Sequence, residues 1–131
     1  MTVWIVDAMN VIGSRPTGWW RDRGAAVRRL LGASRRFAVV TGDRVILVVD
    51  GQPTPNLPEG EEEAVRVVYA SRRRSNAADD RIVELVASDP APAEAHVVTS
   101  DRVLQARVCR LGAQVSSAGQ WLRALDTVLP P

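Results

Sequence analysis

The chain has 131 residues, which suits one compact α/β-sized domain spanning 1–131 and leaves no room for two. All 17 basic residues are arginine and the net charge is only +2, so mechanisms that need a P-loop, Schiff-base or nucleophilic lysine are excluded. A single cysteine and a single histidine exclude an internal disulfide and argue against a Cys/His zinc site; with no apolar run of roughly 20 residues and no leader-like start, a cytoplasmic protein with no membrane association is expected.

Val3-Trp4-Ile5-Val6 is an apolar run ending at Asp7 and reads as a buried strand. Residues 8–20, with Gly, Pro and Ser, read as a loop. Val27, Leu30, Leu31, Ser34, Phe37 and Ala38 then recur at helical spacing and predict a helix over about 21–40, closed at Thr41-Gly42-Asp43. A second buried strand runs from Arg44 to Val49 and ends at Asp50-Gly51. The proline-rich, acidic stretch 51–62 reads as a loop, Ala64 to Ala70 as a third strand, and Ser71 to Asn76 as a basic loop. Ile82, Val83 and Val86 give the inner face of a helix over about 77–88. A fourth strand, Ala95 to Thr99, leads into Ser100-Asp101. A helix over about 102–111 stops at Gly112, a short strand covers Ala113 to Ser116, and a last helix covers about 118–128. Strands alternating with helices predict a Rossmann-like three-layer sandwich around a mainly parallel sheet.

In such a sheet the strand ends and the following helix starts share one edge, where ligands bind. Asp7, Asp50 and Asp101 follow strands, and Asp79 and Asp80 sit in the first turn of a helix, so all five are expected at that edge. Taken singly, Asp79 or Asp80 would suit a helix dipole, Asp101 an N-cap, and Asp50-Gly51 a turn. Asp7 has no comparable structural use directly after four apolar residues. Clustered carboxylates repel by on the order of 4 kcal/mol per close pair in a partly buried setting. A hard divalent cation, Mg²⁺ or Mn²⁺, relieves that repulsion and suits phosphodiester hydrolysis.

These residues resemble a known family. Asp7-Ala8-Met9-Asn10-Val11-Ile12-Gly13 is similar to the D-x-x-N-x-I-G opening of the NYN domains, in particular the YacP-like branch. Val49-Asp50-Gly51, Ala78-Asp79-Asp80-Arg81 and Thr99-Ser100-Asp101 resemble its later motifs in order and spacing. The resemblance covers nearly the whole chain and implies a PIN-like nuclease fold that cleaves RNA with Mg²⁺ or Mn²⁺. It implies Asp7, Asp79 and Asp101 as metal ligands and Asn10 as a polar site residue, with Asp80 and Asp50 in supporting roles. It further implies in-line attack by a metal-activated water, leaving 5′-phosphate and 3′-hydroxyl ends. The expected partner is RNA, single-stranded or within a ribonucleoprotein such as the ribosome.

Arg72-Arg73-Arg74 leads toward Asp79 and reads equally as a phosphate grip or a solvated loop. Ser100 and Arg15 lie near the motifs and are substrate-contact candidates. Arg21, Arg28 and Arg35, with Arg29 and Arg36 beside them, form an outer helix stripe, read first as a solvated face and second as an RNA track. Trp19-Trp20 suits packing on the first long helix or base stacking. Trp4, Trp121 and Cys109 read as core, and His96 as structural. Other aspartate enzymes fit less well: a haloacid-dehalogenase phosphatase needs an acid where Met9 stands, and both it and a response-regulator receiver need a lysine. The remaining alternative is a non-catalytic RNA- or ribosome-binding module on the same fold; a missing acid would favour it, and none of the motif acids is missing.

Overall fold

A computed structural model describes residues 1–16, 18–70 and 76–128. In chain order the elements are β1 (Val3–Asp7), α1 (Ala8–Gly13), a 3₁₀ turn (Trp19–Arg21), α2 (Arg23–Thr41), β2 (Arg44–Asp50), β3 (Gly60–Glu62) and β4 (Val65–Ala70). There follow α3 (Ala77–Ala87), a second 3₁₀ turn (Pro92–Glu94), β5 (Ala95–Val98), α4 (Arg102–Arg110), β6 (Gln114–Ser116) and α5 (Ala118–Asp126). The sheet order is β3-β4-β2-β1-β5-β6, parallel throughout except for the antiparallel edge strand β3.

The central strands are apolar without a break because both of their faces are covered. Val6, Leu47 and Val67 pack with Val27, Leu30, Phe37 and Trp121 of α2 and α5. Ile5, Val48 and Val97 pack with Ile82, Val86, Leu104 and Val108 of α3 and α4. This is the expected three-layer sandwich. From β1 the chain moves outward to β2 and β4, then returns to lay β5 on the other side of β1. The order therefore reverses between β1 and β5, and the crevice at such a switch point is where open α/β sheets bind ligands.

Two stretches expected to be loops are ordered differently. Ala8–Gly13 is helical: Ala8 and Val11 are buried one turn apart, a short signal outweighed in the sequence by Gly13, Ser14 and Pro16. Gly60–Glu62 is the edge strand β3, which is exposed throughout and held by backbone pairing to β4, so it carries no apolar pattern to read. Its glutamates leave a charged edge that discourages pairing with another sheet. Cys109 is exposed rather than buried, because Leu104 and Val108 take the inner face of α4 and the next residue turns about 100° away. Gly42 closes α2 at φ 77°, a conformation that favours glycine, with its amide donating to the Ala38 carbonyl.

Toward the start of the strands lies an aromatic cluster. The Trp4 ring stacks on His96 with centroids 4.3 Å apart and meets Phe37 and Trp121 at 5.6 and 5.1 Å. The Trp4 indole N–H donates to Asp43 at 3.0 Å, and the other Asp43 oxygen accepts from the Thr2 amide at 3.3 Å. His96 Nε2 is hydrogen-bonded to the Ser116 hydroxyl. Burial holds the imidazole below its ordinary pKa.

Candidate active site

Asp7 is the last residue of β1 and is only 7% exposed. Its Oδ2 accepts a hydrogen bond from the Thr99 hydroxyl at 3.1 Å. The backbone amide of Asn10 favours its charge as well. These contacts do not offset burial. Desolvation, with the charges of Asp79 and Asp50 adding to it, raises the Asp7 pKa from 3.8 to about 6.

Thr99 is fully buried just beyond β5 and joins two of the acids. Its hydroxyl donates to Asp7 and accepts from the Asp101 amide at 3.2 Å. Its carbonyl accepts from the Gln105 side chain at 2.7 Å. Asp101 caps α4, accepting from the Val103 and Leu104 amides at 2.9 and 3.2 Å. Both bonds go to Oδ1, which leaves Oδ2 for another partner. The cap therefore leaves one oxygen of the same side chain open.

Asp79 lies half-buried in the first turn of α3. Its pKa is raised, first by burial and then by the charge of Asp101, with Asp80 and Asp50 acting the same way and Arg107 opposing them. Asp80 turns toward α4, where both terminal nitrogens of Arg107 reach its Oδ1 at 3.2 Å. Asp50 ends β2, half-buried, close enough for its charge to act on Asp7 and Asp79. Asp7, Asp50, Asp79 and Asp101 thus share one electrostatic neighbourhood at the carboxyl edge of the sheet, beside the switch point.

Asn10 reaches across to the loop after β5. Its Oδ1 accepts from the Ser100 amide at 2.9 Å and ties α1 to the loop after β5. The Ser100 hydroxyl accepts from the first amide of α5, at Ala118, at 3.0 Å, so this exposed serine also links the edge to α5. Arg15 is not brought to the acids. It pairs with Asp126 at 3.4 Å, at the far end of α5, roughly 13 Å along that helix from its start. Arg72, Arg73 and Arg74 lie outside the described residues. In the arginine stripe, Arg35 pairs with Glu62 at 3.3 Å, while Arg21, Arg28, Arg29 and Arg36 are exposed. Trp19 is half-buried near Gly13, and Trp20 is 59% exposed.

Three residues of this neighbourhood carried no signal in the sequence beyond their place in a motif or helix: Thr99, Gln105 and Arg107. Thr99 and Arg107 act through partners distant in the chain, Asp7 and Asp80, and Gln105 through Thr99 six residues before it. Gln105 and Arg107 offered only the hint that they lie on the helix that follows Asp101.

The donor set, carboxylate oxygens with few cations among them, suits a hard divalent ion. Among the described residues, no three His, Cys, Asp or Glu side chains stand close enough to enclose an ion. The electrostatic coupling and this open spacing agree if few carboxylates hold the ion. Mg²⁺ is usually held by one or two carboxylates, with waters and substrate phosphates completing its octahedron. Asp7, Asp79 and Asp101 therefore do not enclose one ion as a trio, and no more than two of them could share it. A separate cavity of about 520 Å³ between α1, α2 and α5 is lined by residues that include Ile12, Leu30, Leu122 and the arginines Arg15, Arg29 and Arg36. It has none of these carboxylates, so it is not where this chemistry would occur.

The YacP-like NYN domain model matches residues 4–129. The chain is similar to the protein YacP of Bacillus subtilis (strain 168), described as uncharacterized: 28% identical over 136 residues, covering 98% of this chain and 77% of that one. Two crystal structures of Rae1 (YacP) from Bacillus subtilis share its fold. A point mutant superposes with a TM-score of 0.80 at 28% identity, covering 98% of this chain and 77% of that one. The other superposes at 0.74 and 29% identity, covering 98% and 75%. No helix among the described residues is long and apolar enough to cross a membrane. With the family model spanning nearly the whole sequence and the fold shared, the chain belongs to the YacP-like NYN domain family, within the RNA-related nucleases of PIN-like fold.

Proposed function

We propose that the protein is a metal-dependent endoribonuclease that hydrolyses phosphodiester bonds of RNA, free or within a ribonucleoprotein such as the ribosome, in the cytoplasm. The observation that carries this reading is Asp7: a carboxylate held in a buried, repelling environment that raises its pKa to about 6. A buried charge left in that state is seldom a stability device, and perturbed carboxylates in a crevice mark functional sites.

Asp7, Asp79 and Asp101 are the proposed ligands, no more than two of them to any one ion, with Asp50 adding negative charge at the edge. When bound there, Mg²⁺ or Mn²⁺ neutralises charge on the phosphodiester and makes a water more acidic. The chain's own residues set the geometry. Thr99 orients Asp7 and the Asp101 backbone together, and Asn10 holds the Ser100 loop against α1. Arg107 pairs with Asp80 and moderates the repulsion at Asp79. Arg72, Arg73 and Arg74 are proposed to hold substrate phosphates against the field of the acids, with Ser100 as a further contact. A module that only binds RNA would gain nothing from four mutually repelling acids, since RNA is itself anionic.

The test is cleavage of end-labelled single-stranded RNA, and of RNA within ribosomes, with Mg²⁺, Mn²⁺ or EDTA. The expected result is cutting that requires metal and falls by on the order of 10³-fold in Asp7→Asn. RNA binding without cleavage on either substrate would instead assign the non-catalytic module.

A further inference from the structure

A second, smaller cavity opens beside the carboxylate edge. It holds about 150 Å³ between the ends of β2 and β4, the start of α2 and the loop after β2. Asp50 is part of its wall, so it is continuous with the site already described. Arg23, Gln52 and Thr54 supply polar groups, and Met9 and Tyr69 supply apolar and aromatic surface. The Tyr69 hydroxyl donates to the Leu57 carbonyl at 2.6 Å, which fixes the ring and fastens the loop over it. Arg23 is the first residue of α2, and its Nε is buried with no hydrogen-bond partner among the described residues. A buried donor without an acceptor is destabilising, and an incoming acceptor removes that deficit.

Size and chemistry narrow the occupant. Pockets for drug-sized ligands run roughly 300–1,000 Å³, so this one has room for a single ring system rather than a whole cofactor. Its wall combines a fixed aromatic ring, a flexible thioether, an unpaired guanidinium donor and a side-chain amide that both donates and accepts. Single-stranded RNA is read by this combination: bases turned out of the strand, packed on rings or guanidinium planes and hydrogen-bonded at their edges. We propose that this cavity takes one unstacked nucleobase of the RNA strand beside the cleaved phosphodiester, with Arg23 Nε donating to a base acceptor and Gln52 completing recognition. Arg23 and Gln52 are then specificity-determining residues, a role that rests on the nuclease reading above.

The inference can be tested apart from cleavage. The ¹⁵N-labelled full chain is titrated with each of the four nucleoside 5′-monophosphates and with ribose 5-phosphate, following the Arg23 Nε–Hε and Gln52 side-chain signals by NMR. At least one nucleotide is expected to shift both signals saturably, with affinity lowered about tenfold in Gln52→Ala and in Arg23→Met. Gln52 is exposed, so its substitution spares the core should Arg23→Met fold poorly. The proposal is overturned if no nucleotide moves these signals at millimolar concentration, or if ribose 5-phosphate reproduces the shifts, which would make the cavity a phosphate or sugar site. A parallel map of cuts in random-sequence RNA is expected to show the same base preferred at one fixed position, with the preference about tenfold weaker in Gln52→Ala. Preference retained in both variants overturns the base pocket and leaves the nuclease intact. Saturable nucleotide binding here without any cutting of RNA would fail the nuclease reading alone.

Discussion

The two ends of the parallel sheet handle polar groups in opposite ways. Near the strand starts, Asp43 spends both oxygens on the Trp4 indole and the Thr2 amide, and His96 is stacked and hydrogen-bonded. At the strand ends, Asp7 has a similar degree of support but faces Asp79 and Asp50, and its pKa rises to about 6. Apart from the Trp121 indole N–H, buried without a partner among the described residues, one end is satisfied, and the other is frustrated by like charge. Residues of the same type in the same sheet are thus separated into structural and functional ones by what surrounds them, and stability should trade against activity only at the frustrated end.

The largest expected effect beyond the loss of cleavage lies in the stability of that end. Asp7 has a folded pKa above its unfolded value, so the native state holds the proton more tightly between the two. Stability from this group is full below pH 3.8, falls as pH rises toward about 6, and stays low above it. The difference is on the order of 3 kcal/mol, comparable to burying one or two large apolar side chains. Denaturant titrations of wild type and Asp7→Asn across that window should show the variant more stable at neutral pH and the gap closing on acidification. His96 works in the other direction, because an imidazole held below its ordinary pKa destabilises the fold on acidification, and comparing the two proteins at each pH cancels it. Added Mg²⁺ or Mn²⁺ should raise the melting temperature of wild type and not of Asp7→Asn. A variant no more stable than wild type at pH 7 would remove the contrast between the two ends.

Asn10→Ala sharpens the comparison by loosening the frustrated end without changing its charge. Losing the bond to the Ser100 amide frees the loop that carries Asp101. Cleavage should fall roughly 10–100-fold, as for other groups that orient ligands. Single-turnover rates at saturating metal would separate misplacement from weaker metal binding. At the satisfied end, Asp43→Ala should cost about 1–3 kcal/mol by leaving the half-buried Trp4 indole N–H unpaired. Its cleavage rate should match wild type below the melting transition, since the aromatic cluster touches none of the acids.

This division was only half legible in the sequence. The apolar strands ending in Asp7 and Asp50, and Asp101 following another, place the acids on one edge because a parallel sheet permits little else. The helix α1 was hidden, since Ala8 and Val11 span too few turns to outweigh the Gly, Ser and Pro that follow. The strand β3 was hidden because backbone pairing and exposed ion pairs hold it, with every side chain exposed. The same logic holds within the site. Asp7 announced itself by following four apolar residues, whereas Thr99 became visible only when its hydroxyl was found between Asp7 and the Asp101 amide. Asp101 looked like a cap and is one, and a cap that uses a single oxygen does not exclude a second role.

The smallest expected effect tests whether the frustration at the strand ends is graded. Arg107 pairs with Asp80 and opposes the raised pKa of Asp79, yet both partners of the ion pair are more than a third exposed. Solvent screening limits such a pair to about 1 kcal/mol of stability or less, so Arg107→Ala should barely move the denaturation midpoint. Its electrostatic effect is local: without the guanidinium, Asp79 feels Asp80 and Asp101 undiminished and holds its proton to higher pH. The acid limb of the cleavage–pH profile should therefore move to higher pH in Arg107→Ala, with the alkaline limb unchanged. Asp80→Asn removes a repelling charge and frees Arg107 to face Asp79, so its acid limb should move the other way. Opposite displacements would make Asp79 a titrating member of the cluster, tuned from α4, whereas identical profiles in the two variants would confine the frustration to Asp7.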